Sequence, residues 1–139
     1  MAERQGNGAG GAIRRPEGAV QHATAGPYSP VLEVDARRLV VISGQVAVAL
    51  DGTPIGTTVE EQTRATLDNC ARLLADAGCG LADVFKVNVY LRDLADWEAF
   101  NTVYRDFLPE PRPVRTAVQA VLLPGFLVEV EMWAARQGE

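Results

Sequence analysis

Charges set inside apolar runs constrain this chain more than any other feature. Residues Arg112 to Ala135 read RPVRTAVQAVLLPGFLVEVEMWAA, two strand-like runs joined by a Pro124-Gly125 turn. Successive side chains of a strand point to opposite faces. The first run, Arg115 to Leu123, therefore sets Arg115, Ala117, Gln119 and Val121 on one face. The second, Leu127 to Ala134, sets Glu129 and Glu131 on one face and Val128, Val130 and Met132 on the other. Charges in such runs cost free energy unless they are solvated, paired or committed to a ligand. Two readings follow: a sheet with one wet face, or a cleft that holds an anion-binding guanidinium and a carboxylate.

The preceding chain supplies the other elements. Residues 1–22 are rich in Gly, Ala and Arg without periodicity and read as a flexible tail, with an ordered domain over 23–139. Ala25 to Pro30, AGPYSP, fixes a bend around Tyr28, which serves either as a core plug or as a lid over a cleft. Val31 to Val34 reads as a short strand and Leu39 to Val48 as a stronger one, with Val41, Ser43 and Gln45 sharing a face. Gly44 inside it permits a bulge or a close approach by another backbone. Thr58-Val59-Glu60-Glu61 is a capping box that opens a helix running to Gly78. Asp83 to Leu91 alternates, with Phe85, Val87, Val89 and Leu91 inward. Asp93 is a good N-cap for a second helix, in which Trp97, Phe100, Asn101, Tyr104 and Leu108 form one stripe and Pro109 marks the end. Asn101 is the odd member; a buried amide needs partners, either nearby backbone or a site. The resulting β-β-α-β-α-β-β order predicts an α+β domain with both helices on one sheet face.

Composition narrows the chemistry. One hundred and thirty-nine residues fit a single domain, and a net charge of -5 with pI near 4.9 speaks against a nucleic-acid footprint. No apolar run reaches membrane-spanning length and the N-terminus lacks a signal-peptide core, so a cytoplasmic location is the expectation. Cys70 and Cys79 have no metal-ligand spacing and read as buried free thiols; His22 reads as solvated. No metal site and no cofactor are expected. There is no nucleophile elbow, Cys-His pair or Gly-rich phosphate loop. What remains is Arg115, Glu129, Glu131, Tyr28, Ser43, Asn101 and backbone amides. An arginine fork binds a carboxylate through two parallel hydrogen bonds, and a partly buried glutamate can position or deprotonate a water. These tools suit a small carboxylate substrate that already carries a reactive C=N bond.

At this point the chain resembles the RidA/YjgF family. GPYSP at Gly26–Pro30, ISGQV at Ile42–Val46, FNTVY at Phe100–Tyr104, PVRTAV at Pro113–Val118 and LPGFLVEVE at Leu123–Glu131 carry the resemblance, in order, over residues 23 to 135. It implies a chorismate-mutase-like α+β fold: a single domain with a mixed β-sheet, two helices packed on one face, and a homotrimer with clefts between subunits. It implies hydrolysis of 2-imino acids and their enamine tautomers, such as 2-aminoacrylate, to 2-keto acids and ammonia. It assigns Arg115 to the substrate carboxylate, Glu129 to the attacking water, and Tyr28, Ser43 and Asn101 to the cleft. Ala117 stands where many members carry cysteine, which excludes a thiol-dependent role and leaves only backbone contact with substrate there. The same resemblance admits two alternatives: a pathway-specific enamine-handling enzyme, or a non-catalytic regulatory trimer that binds a small ligand. Ribonuclease activity, attached to some relatives, fits the acidic chain least.

Overall fold

Strand alternation and two capped helices account for the architecture. The computed structural model describes residues 13–23 and 26–136. Its elements are β1 (Ile13–Arg14), β2 (Glu33–Val34), β3 (Arg38–Gln45), α1 (Val59–Asp76), β4 (Val84–Leu91), α2 (Trp97–Phe107), β5 (Val114–Gln119) and β6 (Val128–Arg136). β3, β6, β4 and β5 lie side by side in that order in one four-stranded sheet. β4 and β5 run parallel, whereas β6 is antiparallel to both β3 and β4, so the sheet is mixed. Both helices cover one face, where Leu67, Cys70 and Leu74 of α1 and Phe100, Val103 and Tyr104 of α2 enclose Val87, Val89, Val128, Val130 and Met132. This is the expected α+β arrangement.

The helix starts follow from their caps. The Glu61 amide donates to Thr58 Oγ1 at 3.1 Å while Glu61 Oε1 accepts from the Thr58 amide at 3.2 Å, the reciprocal pair expected at this position. Gly78, at φ +81, follows the last turn of α1, a backbone conformation that favours glycine. Asp93 caps a 3-10 turn, Leu94–Asp96, through the Ala95 amide at 2.9 Å, and α2 itself begins at Trp97.

Several elements depart from the sequence expectation, each for a visible reason. The register between β4 and β6 shifts between Val84 and Lys86, so Val84 enters the core at 2 % exposure and Phe85 stays half-buried rather than inward. β2 is confined to Glu33–Val34 and pairs with Ile13–Arg14, which places strand structure ahead of the expected domain start at Ala23; residues 1–12 of the expected tail lie outside the described residues. β3 ends at Gln45, because the Asn69 side-chain amide donates to the carbonyls of Val46 and Val48 at 3.0 and 2.9 Å and draws the chain off the sheet. β5 ends at Gln119 rather than Leu123. Beyond it the Arg92 guanidinium collects the carbonyls of Leu122, Leu123 and Phe126, and Val121 and Leu123 are 99 % and 71 % exposed.

Both cysteines are free and buried, and burial pushes the Cys70 thiol up to about 12. No helix among the described residues is long and apolar enough to cross a membrane.

Gln62, a polar residue on the buried stripe of α1, was not singled out by periodicity. Its Nε2 donates to the carbonyls of Gly56 and Gly125 at 3.2 and 3.0 Å, and its Oε1 accepts from the Leu127 amide at 2.8 Å. One amide thus ties the helix to two loops, including the turn that launches β6. Gln62→Met keeps the length and removes all three bonds. It should lower stability by about 1–3 kcal/mol in a urea melt; an unchanged midpoint would show that solvent already serves these backbone groups.

Candidate active site

Arg115 sits near the start of β5, at the edge of the sheet, opposite Val87 of β4. Paired residues share a face, so its side chain lies on the helix-covered side. There the guanidinium carbon is 4.8 Å from the ring centre of Tyr104, 5.5 Å from those of Tyr28 and Trp97, and 5.8 Å from that of Phe100. Aromatic faces attract a cation and cost it little specificity of direction. Nη1 donates to Asn101 Oδ1 at 2.8 Å, which accounts for a buried asparagine on an otherwise apolar helix stripe. Nη2 is covered and has no hydrogen-bond partner among the described residues. Burial lowers the Arg115 pKa from its ordinary value, opposed by Tyr104 and Tyr28, and burial likewise pushes the Tyr104 phenol up.

Ala117 follows on the same face, opposite Val89, and packs against the core. Tyr28 covers Arg115 from the bend that precedes β2; the Gln21 side chain donates to its carbonyl at 2.8 Å. Between this segment and β5 lies a cleft of about 340 Å³ whose lining includes Gln21, His22, Tyr28, Lys86, Arg115 and Thr116.

Glu129 occupies the other side of the sheet. It pairs with Tyr90 of β4, and the neighbouring pair, Asn88 and Glu131, is joined by a 3.0 Å hydrogen bond across the same outer face. Burial first, then Glu131 and Glu129, raise the Tyr90 pKa. Ser43 is exposed in the irregular stretch of β3 between Ile42 and Gln45, next to Gly44, which lies against the Glu129 carboxylate. The six candidate residues therefore form two clusters. Tyr28, Asn101, Arg115 and Ala117 gather at the β5 edge on the helix side; Ser43 and Glu129 gather on the outer face, toward the β3 edge. Arg115 and Glu129 are two strands apart, roughly 10 Å in the sheet plane, with side chains on opposite faces. A single chain does not bring them together.

Each charged group also rests on a glycine. A Cβ at Gly26 would overlap Arg115 Nη2, and one at Gly44 would overlap Glu129 Oε2. The bulge role expected of Gly44 is present, but what approaches it closely is a side chain rather than a backbone. The rings of Trp97, Phe100 and Tyr104 around Arg115 were legible only as a core stripe, with Asn101 its odd member, whereas Tyr28 was open to reading as a core plug or a lid.

With this geometry in place, comparison with known proteins is informative. The family model described as Endoribonuclease L-PSP matches residues 19–136. A fission-yeast protein, mmf2, mitochondrial (Schizosaccharomyces pombe), is 42% identical over 79% of this chain and 88% of its own length. A goat (Capra hircus) protein named 2-iminobutanoate/2-iminopropanoate deaminase is 36% identical over 82% of this chain and 83% of its own. Among solved structures, Escherichia coli TdcF with bound serine superimposes with TM-score 0.67 at 31% identity, covering 82% of this chain and 91% of that one. The fold is thus that of a small α+β protein whose relatives include imine deaminases. This chain belongs to the YjgF/RidA family, whose model carries the endoribonuclease description.

The glycine contacts make a direct prediction. In Gly44→Ala the new methyl displaces only the mobile end of Glu129, so the fold should persist with a loss of about 1 kcal/mol or less, while a crystal structure shows the Glu129 carboxylate in a new rotamer. Gly26→Ala should displace the Arg115 guanidinium in the same way. An unmoved carboxylate in Gly44→Ala would mean that the backbone of β3 yields instead.

Proposed function

We propose that this protein is an imine/enamine deaminase that hydrolyses small 2-imino acids to 2-keto acids and ammonia, in clefts formed between the subunits of a homotrimer. The observation that carries the reading is the Arg115 guanidinium: packed among four rings, held by Asn101, with its covered Nη2 left without an acceptor among the described residues. An unsatisfied buried donor of this kind is costly to stability, and an incoming carboxylate oxygen relieves it. The names of the goat deaminase and of TdcF with bound serine support a small amino-acid-like ligand.

In the proposed mechanism Arg115 anchors the substrate carboxylate, with Tyr28 and Asn101 fixing the guanidinium. The enamine takes a proton at carbon to become the imine. Glu129 of a second copy orients a water toward the C=N carbon, beside Ser43. Attack gives a carbinolamine, which collapses to the keto acid with loss of ammonia. Holding water and electrophile in line is a proximity effect, and little more is required of the protein. The location of Arg115 and Glu129 on opposite faces of one sheet supports a composite site, since a neighbouring copy can present its outer face where its own chain cannot. That face also carries Leu39 and Val41 at 62% and 59% exposure, apolar surface suited to burial between subunits. The endoribonuclease description of the family model is not carried over, because a chain of net charge -5 offers phosphates little attraction.

Two measurements test this reading. Light scattering should give a trimer at micromolar concentration; a stable monomer would remove the composite site. The parent should accelerate loss of enzymatically generated imines, and Arg115→Lys, which keeps charge but loses the planar fork, should reduce kcat/KM about tenfold to hundredfold. Arg115→Ala should fall further and lose 2-keto-acid binding, whereas Glu129→Gln should lose turnover and keep that binding. A regulatory trimer predicts binding without turnover in the parent. Full activity in a well-folded Arg115→Ala trimer would remove the carboxylate anchor.

A further inference from the structure

We infer that Ser29 is a positioning residue for this site: through Tyr28 it holds the Arg115 guanidinium ready for a carboxylate. This role rests on the deaminase reading, which supplies the carboxylate ligand. Ser29 is 2 % exposed, and both of its donors go to the segment that leads into β5. The amide donates to the Pro113 carbonyl at 3.2 Å, and the hydroxyl donates to the Arg112 carbonyl. Arg115 comes two residues after Pro113, so the bend is docked on the approach to the anchoring arginine.

The sequence explains why a side chain is needed there. A residue before proline is pushed toward extended backbone, which applies to Ser29 before Pro30 and to Arg112 before Pro113. Two extended stretches side by side would exchange main-chain bonds, but Pro113 has no N–H to return. The Ser29 hydroxyl supplies a second tie, one residue away. Arg112 carries that tie further. Its Nε donates to the Leu108 carbonyl at 3.1 Å, at the end of α2, and its Nη1 pairs with Glu110 Oε2 at 2.6 Å. The bend, the approach to β5 and the helix bearing Trp97, Phe100, Asn101 and Tyr104 thus meet at one residue. Gln21 adds a tie on the residue before Ser29, its Nε2 donating to the Tyr28 carbonyl at 2.8 Å.

These bonds fix the ring of Tyr28. It lies 5.5 Å from the guanidinium carbon and lines the cleft together with Ser29 and Arg115. Tyr28 is half-buried, so its packing is incomplete and the backbone ties carry more of its placement. An arginine fork meets a carboxylate best when it is already held in one orientation, and a wall fixed beforehand reduces the freedom lost on binding. Without the Ser29 hydroxyl, the Arg112 carbonyl loses that bond, the bend loosens and the ring moves off the cation.

The test is a double-mutant cycle in the full chain: parent, Ser29→Ala, Tyr28→Ala and the two together, each checked for fold and assembly. Calorimetry measures binding of pyruvate and 2-oxobutanoate, and steady-state kinetics follow hydrolysis of the imine of alanine. Ser29→Ala should weaken keto-acid binding about threefold to thirtyfold, the worth of one ring face on a cation. KM should rise by a similar factor while kcat is nearly kept. In the Tyr28→Ala background the same change should cost no further affinity. Should Ser29→Ala not assemble, Ser29→Cys keeps the volume, offers only a weak S–H donor and carries the same expectations. A serine that only supports the fold would lower the melting temperature and leave binding unmoved, which overturns the positioning role. An equal loss of binding in both backgrounds also overturns it, since Ser29 would then act without the ring. In either case turnover by the parent leaves the deaminase reading intact. The expected binding pattern with no turnover of any imine upholds the positioning role and overturns the deaminase reading alone. A parent that neither binds a keto acid nor hydrolyses an imine overturns both.

Discussion

The strict alternation of β6 organises this molecule. The strand lies between β3 and β4, so both of its edges are paired and both faces must be resolved. Val128, Val130, Met132 and Ala134 go under the helices, all fully buried, which forces Glu129, Glu131 and Trp133 to the opposite side. A shift of one residue would drive two carboxylates into the apolar layer at a cost the domain could not meet. The face that Glu129 occupies is therefore fixed by the burial of its neighbours, and Gly44 leaves room for its carboxylate there. The Gln62 amide reinforces that register by holding the turn from which β6 departs.

The same rule acts on β5 with the opposite outcome. Arg115 lies in register with Val87, a core residue, so its charge is carried to the helix side, where it is half-buried. Four aromatic rings and Asn101 make that location tolerable. The two charged groups of the candidate site are thus separated by the sheet itself, and the proposed chemistry calls for a second copy to bring them together.

Alternation, caps and turn residues were readable from the residues because they depend on near neighbours. Thr58 and Glu61 specify their own reciprocal bonds, and the inward valines of β4 and β6 follow from period two. The misplacement of Phe85 shows the limit: one shifted residue in the register with β6 moves Val84 into the core, and nothing local announces it. The early end of β5 depends on Arg92, distant in sequence, whose guanidinium claims carbonyls that a longer strand would have used. For the site, Arg115 and Glu129 were conspicuous as charges in apolar runs. Their separation by the sheet was not, since it depends on pairing register across three strands. The helix rings beside Arg115, Trp97, Phe100 and Tyr104, looked like ordinary core until Asn101 was given its partner.

The state of the thiols bears on how such a protein would survive its own substrates. Cys70 and Cys79 are both buried, both thiol pKa values are raised by burial, and alanine stands at position 117 beside the anchoring arginine. The nucleophilic form of cysteine is the thiolate, and the Cys70 environment keeps it scarce at neutral pH. Imines and enamines are reactive toward soft nucleophiles, so an exposed thiolate near the cleft would invite covalent capture. With both cysteines buried, the proposed substrates meet no exposed thiolate that could add to them and block the cleft.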